Sequence, residues 1–198
     1  MRRSRRHPIN WDAGTTDDEL VGWAQRGQRE AFGLLYDRHF GNVYGYCYRR
    51  LGEREAAQDA AAETFRKALV ALPTYRPHAF RGWLFAIARH VVADAAREHH
   101  ADLSLDDAAA VPDSEDSLED VALAHVEITA LVALLPQLTP DQHEAIAMRL
   151  AGLSPAEIGL SLGKSRAAID MTLHRALLRL RGLMGVGTET VTGGRGRD

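Results

Sequence analysis

The sequence predicts an all-helical protein of two small domains joined by an acidic, flexible linker, the second domain containing a helix-turn-helix. Three observations predict it. Apolar residues recur every three or four positions through residues 16–98 and again through 121–184, and no segment sustains the period-2 alternation of a half-buried strand. Residues 101–127, between those stretches, hold nine acids and no Lys or Arg. Near the C-terminus two helix starts, at Ser154 and Ser165, flank a short break at Gly163-Lys164.

The first helix opens at Thr16-Asp-Asp-Glu19, where the Thr side chain and the Glu three residues later satisfy orphan backbone N–H groups, and it ends near Gly27. A second, about Glu30 to Leu51, spaces Phe32, Leu35, Val43 and Cys47 for burial and has Gly52 as its C-cap. It also carries Tyr36, Phe40, Tyr44 and Tyr48 at i,i+4 intervals, a stripe that suits core or partial interface. A third, about Arg54 to Leu72, sets Ala57, Ala61, Phe65, Ala68 and Leu72 on one side and stops at Pro73. After the turn Thr74-Tyr-Arg-Pro77 a fourth runs from about Phe80 to Glu98, with Leu84, Ile87, Val91 and Ala95 inward.

Residues 101–120 read as the linker, because charges separated by Ala, Ser and Pro bury too little apolar surface to order themselves. The second domain, 121–184, begins with a helix carrying Ala124, Ile128, Leu131 and Leu135. A second starts with Thr139 as N-cap and Pro140 at the first helical position, and ends at Ala151-Gly152. Ser154-Pro-Ala-Glu157 opens a short helix that closes at Gly163, and Ser165 caps a longer one with Ile169, Leu173, Leu177 and Leu180 inward. The basic tail 1–14 and the Gly/Thr-rich tail 185–198 are expected to be disordered, and the first domain to span 15–100.

With 198 residues, 45% of them hydrophobic and 26% charged, the chain has the composition of a globular protein. No apolar run approaches the roughly 18–20 residues of a membrane span, and the basic N-terminus MRRSRRHPIN lacks an apolar stretch after it, so neither membrane insertion nor secretion is expected. The lone Cys47 fits a reducing compartment, and a cytoplasmic location is expected. Nine histidines supply no Cys or Glu-x-x-His frame, so no metal or other cofactor is expected. The absence of a P-loop, a nucleophile elbow or a dinucleotide fingerprint leaves catalysis no constellation to rest on. Net charge is −3, from 24 bases and 27 acids, which superficially disfavours a nucleic-acid partner. Setting aside the nine acids of 101–127 leaves 18 acids against those 24 bases, a balance compatible with one.

In a helix-turn-helix the second helix lies in the DNA major groove with its N-terminal residues at the base edges. Lys164 and Arg166 stand where that plan puts groove or phosphate contacts. A hairpin of two helices in a bundle, with a solvated basic face, would produce the same pattern.

The stretch AFGLLYDRHFGNVYGYCYRRLGEREAAQDAAAETFRKAL, followed by FRGWLFAIARHVVADAARE, resembles domain 2 of bacterial RNA polymerase sigma factors of the extracytoplasmic-function (ECF) type. LPQLTPDQHEAIAMRLAGLSPAEIGLSLGKSRAAIDMTLHRALLRLR resembles domain 4 of the same family, and together they cover about residues 16–184 in the family's order.

The resemblance implies a protein that recruits core RNA polymerase to promoters and helps melt the −10 region, with possible restraint by an anti-sigma factor. Asp59, Glu63 and Phe65 match a D-x-x-x-E-x-F pattern on the helix that docks on the β′ clamp helices; Asp59 and Glu63 are the expected contacts and Phe65 a core residue. Tyr75, Arg76, His78 and Phe80 in the turn, with Arg81, Arg89, His90 and Arg97 on the following helix, match the part that opens the −10 element, where stacking groups and cations repay strand separation. Trp83 and Leu84 are expected in the core. Lys164, Ser165, Arg166 and Arg175 are the expected −35 contacts, on a domain that also meets the β flap. Three departures stand out. The turn before the fourth helix is about one residue shorter than the family's. His90 replaces a common Asn, and Ile169-Asp-Met-Thr172 replaces a more basic stretch, so weaker phosphate attraction at the −35 element is expected. The competing assignments are a helix-turn-helix regulator that works without core polymerase and an all-α adaptor that binds protein alone.

Overall fold

The computed structural model describes residues 14–76, 79–102 and 134–184, and only the backbone of residues 98–102. Its helices are α1 (Asp17–Gln25), α2 (Arg29–Leu51), α3 (Arg54–Ala71), α4 (Phe80–Asp102), α5 (Pro140–Leu150), α6 (Pro155–Leu162) and α7 (Arg166–Leu183), with 3-10 turns at Leu72–Thr74 and Leu135–Gln137. No strand occurs among the described residues. Of the expected linker only residues 101–102 are described, as the end of α4, and of the N-terminal tail only residue 14; the rest of both, the C-terminal tail, the helix around Ala124 to Leu131 and His78 lie outside them. The described chain resumes at Leu134 and enters the turn containing Pro136.

Local chemistry accounts for the helix ends. At α1 the Thr16 N–H donates to Glu19 Oε2 (2.8 Å) while the Glu19 N–H donates to Thr16 Oγ1 (3.3 Å), a reciprocal cap repeated by Thr139 with Gln142 and by Ser154 with Glu157. Each such cap stabilises its helix by about 1 kcal/mol. Gly52 ends α2 at φ +76°, where a side chain would be strained, and its N–H donates to the Tyr48 carbonyl at 2.9 Å.

Helices α1, α3 and α4 surround α2. Buried Ala57, Ala60, Ala61 and Ala68 let α3 approach closely, and Leu35, Val43, Phe65, Leu84 and Phe85 fill the space between the helices. Trp83 is half-buried and Leu84 fully buried. A buried His39 fastens α1 through Nε2 to Asp17 Oδ2 at 2.8 Å, beside an Arg38–Asp17 pair at 2.6 Å. The Tyr36, Phe40, Tyr44 and Tyr48 rings stack along α2 with centroids 5.0–6.2 Å apart, and Phe65 of α3 packs against Tyr36 at 4.7 Å.

In the second unit, α5, α6 and α7 close over Leu135, Ile146, Met148, Leu153, Ile158 and Ile169. One inward assignment is corrected. Leu177 is 52% exposed, whereas Ala176 is fully buried with Ile169, Leu173 and Leu180. At about 100° per residue, position 176 returns to within about 20° of Ile169 and position 177 overshoots by about 80°. The two units meet: α2 and α4 pack against α5 and α6, and one continuous hydrophobic core runs through both.

Candidate nucleic-acid interface

The turn between α6 and α7 is set by two glycines. Gly163 ends α6 at φ +65°. Gly159 lies so close to the turn that a Cβ there would stand 2.6 Å from the Lys164 carbonyl oxygen; the Lys164 N–H donates to the Gly159 carbonyl at 2.9 Å. Ser165 then caps α7, its Oγ accepting the Ala168 N–H at 3.2 Å. The buried stripe turns Arg166, Ala167, Asp170, Met171 and His174 outward, and at about 100° per residue they share one face about 140° wide.

Both expected cations at this end are already paired. Lys164 Nζ lies 2.5 Å from Asp141 Oδ2 of α5, and Arg166 Nε lies 3.7 Å from Asp170 Oδ2. Arg175 is exposed but about 180° around the helix from Arg166, so it flanks the outward face instead of joining the others. Arg179 donates through Nε to the Gln137 carbonyl at 2.8 Å, which fastens the 3-10 turn to α7.

The residues expected at the −10 element do not form one exposed patch. Tyr75 is 7% exposed and Phe80 is 2% exposed. Tyr75 packs against Trp83 with ring centroids 4.4 Å apart, its hydroxyl accepts the Ala79 N–H at 3.1 Å, and Phe80 packs 5.6 Å from His39. Both rings thus pack inward in this fold, Tyr75 against Phe80 and Trp83 of α4 and Phe80 against His39 of α2. Gln25 holds the turn from below, donating to the carbonyls of Leu72 (2.9 Å) and Tyr75 (2.7 Å). Arg76 and His90 are exposed, and His90 Nδ1 donates to the Ala86 carbonyl at 2.6 Å. Arg89 is half-buried, and Arg97 is exposed and paired with Asp94. Arg81 turns toward the other unit, with Nε 3.7 Å from Glu157 Oε1.

On α3, Asp59 is exposed and Phe65 is buried against Phe32, Tyr36 and Phe40. Glu63 accepts two hydrogen bonds from Arg66, at 2.6 and 2.7 Å, which hold its carboxyl below the usual range. Sequence reasoning missed Val70, 71% exposed. It continues the helical face of Asp59, Glu63 and Arg66, and its place outside the inward stripe was the available signal.

A second group that sequence reasoning missed is the seam between the units. The Tyr46 hydroxyl donates to Glu144 Oε1, and Arg50 reaches Glu144 Oε2 (3.3 Å) and His143 Nδ1 (3.2 Å). Arg49 donates to the Ala147 carbonyl at 3.5 Å. Burial, with the nearby Glu144 carboxylate, pushes the Tyr46 phenol well above its usual value, so it stays a donor. Burial and the Arg50 charge lower His143 from 6.5 to about 4, keeping its ring neutral near pH 7. Alongside, a Cβ on Gly82 of α4 would sit 3.0 Å from the Glu157 carbonyl and 3.3 Å from Leu160 Cβ of α6.

Among the described residues no cluster of His, Cys, Asp and Glu could hold a metal ion, and no helix is long and apolar enough to cross a membrane.

Residues 35–101 match the Sigma-70 region 2 family and residues 128–180 the Sigma-70, region 4 family. The ECF RNA polymerase sigma factor ShbA of Streptomyces griseus subsp. griseus is 36% identical over 185 residues, covering 87% of this chain and 97% of its own length. The ECF RNA polymerase sigma factor BldN of Streptomyces coelicolor is 36% identical over 171 residues; the match covers 84% of this chain and 65% of that relative. Among solved structures, CnrH in complex with the cytosolic domain of CnrY superposes with a TM-score of 0.65 at 26% identity, over 87% of this chain and 99% of that one.

Proposed function

Because the chain belongs to the ECF sigma factors of the sigma-70 family, we propose that it binds core RNA polymerase, directs it to a set of promoters and helps open the −10 region, with no catalytic reaction of its own. One observation carries this role: region 2 and region 4 stand in order in a single chain, the first with an exposed acidic and apolar stripe on α3, the second with a capped helix-turn-helix. Their proposed limits are residues 15–100 and 121–184, with an acidic linker over 101–120.

Asp59 and Glu63, with Val70 beyond them, suit a basic, partly apolar helical surface such as the β′ clamp helices, because charge pairs orient an encounter and apolar contact prolongs it. Arg76, Arg89, His90 and Arg97 supply cations and donors for −10 DNA, while Tyr75 and Phe80 hold the turn from beneath. Lys164, Ser165, Arg166 and Arg175 serve the −35 element. Such a protein works where core polymerase is, in the cytoplasm, with an anti-sigma factor as a further proposed partner; the likeness to CnrH, solved in complex with the cytosolic domain of CnrY, supports a protein partner for this fold.

Reconstitution with purified core RNA polymerase on genomic fragments tests the assignment. Discrete promoter-dependent transcripts, lost when Asp59 and Glu63 are both changed to Ala, are the expected result. Binding to DNA with no association with core polymerase would instead identify a free-standing regulator.

A further inference from the structure

Promoter recognition by α7 rests on the sigma-factor assignment above, and within it the outward face poses a specific problem. Its first two turns present Arg166, Ala167, Asp170, Met171 and His174, which include one fixed cation and one carboxylate. The next nearest cation, Lys164, is engaged by Asp141 at 2.5 Å. A carboxylate facing the DNA backbone is repelled by phosphate, so this end of the helix has little net charge with which to hold the duplex nonspecifically. Discrimination then depends on base edges.

We propose that Asp170 is a specificity-determining residue that accepts a hydrogen bond from the N4 amino group of a cytosine in the major groove. The four bases leave little choice for an acceptor-only side chain. Guanine presents N7 and O6, both acceptors, and thymine presents O4 beside a methyl group. Adenine offers its N6 amino group next to the N7 lone pair, which opposes a carboxylate. Cytosine alone offers an amino donor with no acceptor beside it. The placement of the side chain suits such a contact, since Asp170 is the fifth residue of α7, exposed, and on the groove-facing set of a helix-turn-helix. Its only ion-pair partner among the described residues is Arg166, one turn toward the N-terminus at 3.7 Å, too long for a direct hydrogen bond. Both side chains are therefore free to turn to DNA together. Arg166 can then donate to the O6 and N7 of a neighbouring guanine while the two opposite charges stay close. Ala167 and Met171, about 60° and 100° to one side of Asp170 around the helix, add apolar surface suited to a thymine methyl.

The test uses holoenzyme reconstituted from core RNA polymerase and the full chain, and a duplex library randomised over the −35 element with the −10 element held constant. Wild-type protein should select cytosine at one position by about tenfold or more over other bases, the discrimination of one good base contact. Asp170→Asn should move that preference to adenine, whose N6 and N7 match an amide. Asp170→Ala should erase the preference there and leave the other positions unchanged. Identical base profiles in all three proteins, with overall affinity merely raised in the variants, would overturn the proposal and reduce Asp170 to a repulsive charge. If wild-type protein fails to associate with core polymerase or to select any sequence, the sigma-factor assignment itself falls, an outcome separable from the first because it appears before any variant is made.

Discussion

The helix-turn-helix unit handles charge in opposite ways on its two sides. Toward the four-helix unit, Tyr46, Arg50, His143 and Glu144 bond to one another with Glu144 only 13% exposed at its side chain. Toward the expected DNA side, Lys164–Asp141 and Arg166–Asp170 pair in water, with side-chain exposures from 35% to 75%. Exposed pairs contribute about 0–1 kcal/mol and can exchange one partner for another cheaply. A buried group that loses its partner costs several times more. The seam is thus a fixed joint, whereas the other side can trade carboxylates for phosphates and bases.

Breaking the seam should therefore have the largest effect. Glu144→Ala leaves the Tyr46 hydroxyl without its acceptor and the Arg50 charge without its carboxylate and should lower unfolding free energy by about 2–3 kcal/mol. Urea titration reads that loss, and the distance between dyes on α2 and α5 should lengthen in native buffer. An unchanged stability and distance would mean that the seam's polar contacts hold nothing. Gly82→Leu attacks the same joint by steric means, because the new side chain must push the Glu157 backbone of α6 away; about 1–2 kcal/mol and a wider separation between α4 and α6 are expected.

The seam should also sense acid. His143 is neutral in the fold and gains its proton only near pH 4, while in the unfolded chain it does so near 6.5. Between those values the unfolded state binds more protons, so the contribution is complete above about 6.5 and drains as pH falls toward 4. With the ring only half-buried, solvent screening limits the loss to about 1 kcal/mol. His143→Gln should flatten the stability profile across that window. Asp17 marks a separate, lower range. Burial raises its carboxyl, but the hydrogen bonds and charges of His39 and Arg38 outweigh that and hold it below 3.8, so its share is lost only in stronger acid.

The helices were legible in the sequence because their ends are written locally. Thr16, Thr139, Ser154 and Ser165 all cap where expected, and Gly52 and Gly163 terminate where a left-handed residue is needed. The core stripes followed from spacing, except where small and large residues competed: Leu177 looked the better core residue than Ala176, but packing geometry buried the alanine. The burial of Tyr75 and Phe80 was not legible for a related reason, since an aromatic at a turn can face inward or outward with no change in local pattern. The seam left no local trace. Tyr46 and Glu144 are 98 positions apart, and each reads alone as an ordinary residue on an amphipathic helix. Only the approach of α2 to α5 makes them partners.

The smallest effect on stability belongs to the exposed side, and it sharpens the contrast most. Asp141→Asn removes the carboxylate beside Lys164 without touching any buried group, so unfolding free energy should change by less than about 0.5 kcal/mol. DNA binding should respond much more. A lysine no longer held by Asp141 can neutralise one further phosphate, which steepens the dependence of log affinity on log salt by about one unit and strengthens binding at low salt. Anisotropy titrations of holoenzyme with promoter duplex at several salt concentrations measure that slope. A variant with the wild-type slope would place Lys164 away from the backbone, and Asp141 would then be an ordinary solvated pair instead of a brake on DNA contact.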